Sequence, residues 1–351
     1  MAVTIGDLIR PARGAMILSG VLTAIGAVLA VVPFIALRHM AAIWLQEGDL
    51  QGWASNPWVW AVVAVVALFA SQLLYLMGLG VTHLAEAKLR HRLRGLLVEA
   101  FSRLPLGKVA QIPHGAIRKT VCDDTAAIHT LVAHVPGDVT NALVGVAAGG
   151  IYLFWTDWRL ALALLGLWVL AFVVIAGTTM RGYGDITARF GEAQTGLASA
   201  TVEMLEGIKE IKNFQATDAT RTRFSAARHR FSDLSYQWVS QSGKSISLLG
   251  ALLRPATVFA TVAILAVVFT SQGWTELSAT LPFFLLAPGL PEGVTVMIGL
   301  AQHIYESNMA AKSTAGLLSE DPMPQGTFDQ GDGDAPGRVE VDDVTFASPS
   351  K

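Results

Sequence analysis

Charged residues are scarce in this sequence. Only 15% of its 351 residues are Asp, Glu, Lys or Arg, whereas 52% are hydrophobic. A water-soluble globular domain carries about 25% charged residues, so the composition argues against one. The net charge of −2 gives no basic excess for neutralising phosphates, which excludes a nucleic-acid partner. A single cysteine, Cys122, excludes an internal disulfide and a cysteine-based zinc site.

Long apolar runs make up much of the chain. A helix needs about 20 apolar residues to cross roughly 30 Å of hydrocarbon. Six stretches meet or approach this length: residues 14–37, 58–81, 139–156, 160–180, 255–275 and 277–300. The first follows two arginines, as a signal peptide would, but its length and the five later stretches favour a true span. The sequence therefore predicts an all-α membrane protein with six transmembrane helices.

The basic residues alternate between the connections of these spans. The connection at residues 82–138 contains eight Lys and Arg and that at 181–244 contains nine, whereas each of the three other connections has one or none. Lys and Arg are retained on the cytoplasmic side of a membrane. Both termini and the two long connections are therefore predicted to be cytoplasmic, in a multi-pass protein of the plasma (inner) membrane.

The two long connections have helical patterns of their own. Leucines at 89, 93, 96, 97 and 104 recur at helical spacing after the second span, and a similar pattern from Leu197 to Phe214 follows the fourth. No strong helix breaker separates the second span from the first of these patterns. We therefore expect the membrane helices to continue into the cytoplasm as long cytoplasmic extensions; a pair of ordinary soluble helical hairpins is the alternative.

Four local segments extend this pattern into a resemblance. They are residues 157–162 (DWRLAL), 206–214 (EGIKEIKNF), 310–313 (AAKS) and 339–346 (VEVDDVTF). In this order, and with six spans and two long extensions, they resemble the exporter-type transmembrane domain of ABC transporters over essentially the whole chain. The resemblance implies three parts: a six-helix domain at residues 1–318, a linker at 319–337, and at 338–351 the first strand of a nucleotide-binding domain.

A narrower resemblance concerns the cargo. Residues 115–119 (GAIRK), 123–124 (DD), 129–134 (HTLVAH) and 283–291 (FFLLAPGLP) are similar to the branch of this family that transports ferric siderophores. It implies a permease subunit that moves an iron–siderophore complex. Export of a lipid, peptide or drug is the alternative within transport, and a truncated membrane remnant or scaffold is the alternative outside it.

The motifs of an ATPase are not found. A phosphate-binding loop needs a glycine-rich turn that ends in Gly-Lys-Ser or Gly-Lys-Thr between a strand and a helix. The one such tripeptide, at residues 243–245, has Trp238 where the first glycine belongs and adjoins the fifth span. We expect this chain alone neither to bind nor to hydrolyse ATP. ATP and Mg²⁺ would be cofactors of the absent nucleotide-binding domain, and no cofactor is expected in this chain.

The resemblance also implies partners and the residues that meet them. The expected partners are membrane lipid, a second identical or homologous transmembrane subunit, nucleotide-binding domains and a small-molecule cargo. The tips of the two extensions would couple to the nucleotide-binding domains, or they are ordinary surface turns. The residues assigned to this coupling are His114, Gly115, Arg118, Asp123, Phe214 and Asp218.

A cargo cavity is expected near the fifth and sixth spans. Arg254 and Glu292 are ionisable residues at membrane depth, which are costly there and indicate function by default. We expect them to lie in the inner half of the membrane, close enough to pair. Pro288 and Pro291 remove helix hydrogen bonds and predict a break in the sixth span that shapes the pathway. The alternatives are an arginine that reaches the headgroups, a glutamate that caps a broken helix, and a kink that serves packing alone.

Two further patterns are assigned to structure. The small residues Gly145, Gly149 and Gly150 in the third span predict close helix packing in lipid. His129 and His134 are five positions apart, so in a regular α-helix they do not share a face. We therefore expect no metal site there.

Overall fold

A computed structural model describes residues 4–47, 51–112, 114–179, 183–208 and 217–323 of the chain. Within these ranges every regular element is helical, which confirms the predicted all-α class. The helices are α1 Ile5–Ile9, α2 Arg13–Leu29, α3 Val32–Leu45, α4 Pro57–Arg103, α5 Leu106–Gln111, α6 His114–Arg118, α7 Thr125–His129, α8 Val135–Thr156, α9 Trp158–Thr179, α10 Tyr183–Glu206, α11 Thr217–Leu252, α12 Pro255–Ser271, α13 Leu277–Leu286 and α14 Leu290–Leu318. Two π-helical segments, π1 Lys119–Asp124 and π2 Thr130–His134, lie on either side of α7.

The six predicted spans all correspond to apolar helices. Five helical stretches are long and apolar enough to cross a membrane, and α12 is a shorter apolar helix of 17 residues. The first span is not continuous, because the chain turns at residues 30–31 and α3 begins again with Pro33 in its first turn. Proline is tolerated in that position, where its missing N–H has no partner to lose. The predicted linker, apart from residues 319–323, and the predicted first strand lie outside the described residues.

The longest helix, α4, has 47 residues. It begins where Asn56 accepts a hydrogen bond from the backbone N–H of Trp58 over 3.0 Å, with Pro57 in the first helical position. At 1.5 Å per residue it is about 70 Å long, more than twice the thickness of the hydrocarbon layer. In its charged half, Leu89, Leu93 and Leu97 are buried at four-residue spacing. The first extension is therefore a continuation of the membrane helix, as predicted.

The second extension is a pair of helices, α10 and α11. Phe190 of α10 contacts the rings of Phe231 and Trp238 of α11, with ring centroids 5.4 Å apart in each case. Ile186 and Leu234 are buried beside them. The helices are held together by this aromatic and aliphatic face. Residues 180–182 and 209–216 lie outside the described residues, so the continuity of α9 with α10 stays a prediction.

Small residues bring α2 and α4 into close contact. A Cβ atom added to Gly78 would lie 2.9 Å from Cγ2 of Thr23 and 3.2 Å from the carbonyl oxygen of Ser19. At a second contact between the same two helices, a Cβ added to Gly26 of α2 would lie 3.0 Å from the carbonyl oxygen of Ser71 of α4. The backbones therefore approach closely, which is how helices associate where the hydrophobic effect gives no help.

The glycines that the sequence assigned to packing contribute unequally. Gly149 of α8 packs against Leu286 and Leu290, as expected. No atom lies within 4 Å of a Cβ placed on Gly145 or Gly150. These two positions face hollows between helices instead, so the packing prediction for them is wrong.

Replacement of Gly78 by Ala should destabilise the protein by about 1–3 kcal/mol, because the added methyl group meets the backbone of α2 as well as a side chain. The measurement is the apparent Tm in detergent micelles. Gly80→Ala is the matched control, since Gly80 is on the same helix, is exposed and has no atom within 4 Å of an added Cβ. Equal Tm values for the two variants would contradict the close contact.

Two carboxylates, Glu47 and Asp157, link the short connections between the spans to one another. Both oxygens of Glu47 accept hydrogen bonds at the start of α13, from the N–H of Leu277 over 3.2 Å and of Ser278 over 2.9 Å. Oδ1 of Asp157 accepts hydrogen bonds from the N–H groups of Arg159 and Leu160 at the start of α9, and its Oδ2 accepts one from the hydroxyl of Thr275. Partial burial raises the pKa of Glu47, but the hydrogen bonds from Ser278 and Leu277 outweigh it, so the pKa lies below the usual value.

Acidification should weaken the contact between Glu47 and α13. Because its pKa is lower in the folded state, this contact stabilises the protein above the ordinary glutamate pKa, and the contribution is lost as the pH falls through the lowered value. In Glu47→Gln the loss of Tm between pH 7 and pH 3 should be smaller than in the wild type, because the neutral side chain gains no proton over this range.

The control for this measurement is Glu276→Gln. Glu276 is exposed at the N-cap of α13, and its side chain makes no capping hydrogen bond. The Glu276→Gln variant should therefore have the same pH dependence of Tm as the wild type. A wild-type pH dependence in Glu47→Gln would show that the carboxylate does not fasten α13.

Candidate functional site

A cavity of about 510 Å³ lies between α2, α3, α4, α8 and the broken sixth span. Most of its lining is apolar and includes Ala27, Val31, Phe34 and Leu285. Its polar lining consists of Tyr75, Asp138, Asn141 and Glu292. Apolar walls with a few convergent polar groups are typical of sites for small molecules.

The sixth span is broken where the prolines predicted a break. Helix α13 ends at Leu286, one 3-10 turn covers Ala287–Gly289, and α14 begins at Leu290. Pro288 lies in the 3-10 turn, and Pro291 lies in the first turn of α14. Pro291 is buried and lines a neighbouring apolar hollow of about 320 Å³. The break gives Glu292 its place beside the cavity, and a role of either proline in transport stays a prediction.

The structure does not bring Arg254 and Glu292 together. Arg254 is exposed and occupies the N-cap of α12, directly before Pro255. Glu292 lines the cavity. Among the ion pairs of the described residues, none joins these two side chains. Of the predicted pair, only Glu292 is at the cavity in this conformation.

Of the residues predicted to couple to a nucleotide-binding domain, those from His114 to Asp123 lie on α6 and π1, beyond the end of α4. Helix α6 begins at His114, and α5 before it ends at Gln111. Gly115, Arg118 and Asp123 are exposed on α6 and π1. Asp218 lies in the first turn of α11, whereas Phe214 is outside the described residues. Their coupling role stays a prediction.

A cluster of three histidines lies beside the cavity. His83 on α4, His129 at the end of α7 and His134 at the end of π2 have ring centroids 5.0–5.3 Å apart. One potential ligand nitrogen from each ring lies within 4.8 Å of the others. The expectation that His129 and His134 point in different directions is therefore wrong.

The reason is the local helix type. In an α-helix, residues five apart are separated by about 140° around the axis. In the π-turn, hydrogen bonds join residues five apart, so His129 and His134 come to the same face. Pro136, two residues after His134, has no N–H for the α-helical ladder and its ring crowds the preceding turn. A proline just after the second histidine was the sequence signal for this wider turn.

Carboxylates lie beside two of the three rings. Nδ1 of His129 lies 3.1 Å from Oε2 of Glu86, which is 3% exposed. Nδ1 of His134 lies 3.4 Å from Oδ2 of Asp138. A histidine that binds a metal usually donates its other N–H to a carboxylate; here the two carboxylates lie at ion-pair distance, and Nδ1 of His129 makes no hydrogen bond. The pairs leave Nε2 of both rings available to a ligand.

The donor set fits a transition metal such as Zn²⁺. Neutral imidazoles are good zinc ligands, and three protein ligands with a fourth position left for water or another molecule is a known zinc geometry. Zinc–nitrogen bonds of about 2.1 Å place tetrahedral ligands about 3.4 Å apart. The potential ligand nitrogens lie within 4.8 Å of one another, so they would approach by up to about 1.4 Å to reach this spacing.

The cavity and the histidine cluster share one residue. Asp138 lines the cavity and accepts a hydrogen bond at Oδ1 from the hydroxyl of Tyr75 over 2.8 Å. Its other oxygen, Oδ2, faces His134. A continuous series of polar contacts therefore runs from the wall of the cavity to the three rings.

Comparison with known proteins identifies the scaffold. The family described as the ABC transporter transmembrane region matches residues 16–289. The chain is 30% identical to a mycobactin import ATP-binding/permease protein of Mycolicibacterium thermoresistibile, over 97% of this chain and 37% of that protein. The namesake from Mycobacterium tuberculosis is 27% identical, over 97% of this chain and 39% of that protein.

A third relative, an ATP-dependent lipid A-core flippase of Aromatoleum aromaticum, is 24% identical over 74% of this chain and 42% of that protein. The chain thus spans less than half the length of these relatives. The matched region includes the apolar helices up to the break in the sixth span and the histidine cluster, and it includes the cavity lining except for the residues of α14, such as Glu292. The chain belongs to the ABC transporter transmembrane region family.

Proposed function

We propose that this chain is the permease part of an ATP-driven importer of an iron–siderophore complex. The observation that carries the proposal is the cavity, in which Tyr75, Asp138, Asn141 and Glu292 interrupt an apolar wall. Such a lining suits a ligand with a polar metal-binding head and an apolar body. The two relatives named for mycobactin import, which match 97% of the chain, support this cargo class.

The arrangement in the membrane is part of the same proposal. Lys and Arg are concentrated in the connections at residues 82–138 and 181–244, which supports cytoplasmic termini and cytoplasmic extensions in the plasma membrane. The extensions would dock on nucleotide-binding domains, and a second transmembrane subunit would complete the pathway. ATP hydrolysis in those domains would drive the exchange between inward-open and outward-open states.

Transport should depend on Glu292. In vesicles of known sidedness that contain the transporter assembled with its nucleotide-binding domains and partner subunit, ATP should drive labelled ferric siderophore to the cytoplasmic side. Glu292→Gln should reduce the initial rate about tenfold, the effect of losing one charged hydrogen bond of about 1.5 kcal/mol. Glu306→Gln is the control, since Glu306 is on the same helix, is exposed and does not line the cavity.

The outcome separates the candidate functions. Extrusion of lipid without any movement of siderophore would replace the importer by an exporter, the activity for which the flippase relative is named. Equal rates for Glu292→Gln and Glu306→Gln would remove Glu292 from the cargo pathway while leaving the transport direction as measured.

We also propose that the three-histidine cluster binds a divalent transition metal, with Zn²⁺ as the first choice. The support is the shared approach of three imidazoles, and the carboxylates of Glu86 and Asp138 behind two of them. The metal would join α4 to the π2 segment next to the cavity. It would therefore fix the spacing of two helices that carry polar cavity residues.

The purified protein should bind one Zn²⁺ per chain in a Cys122→Ser background, which removes the exposed thiol as a competing ligand. Co²⁺ should give the absorption spectrum of a nitrogen-ligated tetrahedral site. His83→Ala and His134→Ala should each weaken binding at least tenfold. His303→Ala should not, because His303 is an exposed histidine on α14 outside the cluster. Unchanged occupancy when all three cluster histidines are replaced would exclude the site.

A further inference from the structure

Two hydroxyl groups from other helices reach the backbone around the π-turn. Oγ1 of Thr82, on α4, donates to the carbonyl oxygen of Ala133 over 2.8 Å. Oγ of Ser307, on α14, donates to the carbonyl oxygen of Ala127 over 2.7 Å. Both residues are almost fully buried, at 0% and 2% exposure. The two bonds lie within the segment that carries His129 and His134, one toward each end.

These bonds differ from the usual behaviour of such residues in a helix. A buried Ser or Thr in a membrane helix normally donates to a carbonyl three or four residues earlier on its own helix. Thr23 and Ser71 do so here, with bonds of 2.9 Å and 2.8 Å to Ser19 and Leu68. Ser307 donates across to another helix instead. Oγ1 of Thr82 also lies 2.9 Å and 3.3 Å from two carbonyl oxygens of its own helix, those of Leu79 and Gly78. Its one hydroxyl proton has its nearest acceptor in the carbonyl oxygen of Ala133, at 2.8 Å.

A carbonyl oxygen has two lone pairs, so it can accept a side-chain donor in addition to its bond within the helix. In an apolar environment that second bond is worth more than in water, because no solvent competes for the donor. Donors inserted from neighbouring helices therefore favour whichever helical form aims these carbonyls outward at them. Ala133 lies in the π-turn itself, and Ala127 lies in α7 directly before it.

We propose that Thr82 and Ser307 are positioning residues that hold π2 in its π-helical form, Thr82 through the backbone of π2 itself and Ser307 through the backbone of the adjoining α7, and thereby assemble the three-histidine cluster. If the same segment rewinds as an α-helix, His129 and His134 separate by about 140° around the axis and the cluster is lost. The inference deepens the metal-site proposal, but the form of the helix can be measured without any metal.

The location of Ser307 gives this form a connection to the cavity. Ser307 is on α14, whose first turn carries Glu292 at the cavity wall. A shift of α14 along its axis by part of a turn would take the Ser307 hydroxyl out of reach of Ala127. The assembly of the cluster would then respond to the position of the helix that lines the cavity.

The first experiment measures the helix form directly. In the full chain with Cys122→Ser, His129→Cys and His134→Cys place thiols five residues apart. Dibromobimane, which fluoresces when it bridges two neighbouring thiols, should link them rapidly in the π-helical form. Thr82→Val and Ser307→Ala should each slow bridging several-fold, and the double variant should slow it at least tenfold. Thr82→Ser, which keeps the hydroxyl, should restore the parent rate.

Matched controls separate positioning from general instability. Thr23→Val and Ser71→Ala remove equally buried hydroxyls that bond only their own helix, so they should not change the bridging rate. If Thr82→Val does not fold, the comparison of Thr82→Ser and Ser307→Ala with these controls decides the question. A bridging rate that is the same in Ser307→Ala, Thr82→Val and the controls would overturn the proposal.

The second experiment measures Zn²⁺ affinity in the chain with all three histidines present. Thr82→Val and Ser307→Ala should weaken binding about tenfold or more, as loss of supporting partners around a metal site does. If the wild-type chain binds no metal but bridging still depends on the two hydroxyls, the metal proposal fails and the positioning proposal stands. If metal binds but neither the bridging rate nor the Zn²⁺ affinity changes when the hydroxyls are removed, the metal proposal stands and the positioning proposal fails.

Discussion

Inside a membrane every backbone N–H and C=O must find its partner within the protein, since neither lipid nor bulk water supplies one. The fold is organised around this constraint. Helix α4 runs unbroken for 47 residues, through the predicted span and beyond it. The irregular turns of the described residues occur where side chains or a cavity can satisfy them. Ala287–Gly289 adjoins the cavity, and the π2 segment receives the hydroxyl of Thr82.

The same constraint explains why the polar groups of this protein are concentrated in a few places. Glu86, 3% exposed, faces both Arg90 and His129, and Asp138 faces both Tyr75 and His134. A charged group taken out of water is costly unless it is paired. Each of these carboxylates therefore has two partners, and the partners lie on different helices or turns. Electrostatic pairing and helix arrangement are linked at this site.

Much of the scaffold could be predicted from the sequence, because its signals are local. The leucine spacing after the second span predicted that α4 continues beyond the membrane, and Pro288 and Pro291 predicted the break in the sixth span. The separation of Arg254 from Glu292 could not be predicted, because it depends on how α12 and α14 lie relative to each other; the start of α12 at Pro255 agrees with the predicted fifth span. Nor could the histidine cluster, since His83 is distant in sequence and the π-turn changes which residues share a face. Pro136 was the one local sign of that change.

The length of α4 has a mechanical consequence. His83 lies 26 residues from Pro57 and 20 residues from Arg103, so it is near the middle of a stiff rod. At 1.5 Å per residue, a 5° tilt of this rod about His83 would move each end by about 3 Å while the imidazole hardly moves. Under such a tilt the histidine cluster would lie near the pivot of α4, and the two ends of the helix would move in opposite directions. The contacts of the cluster could therefore persist while both ends of α4 move in a rocking motion.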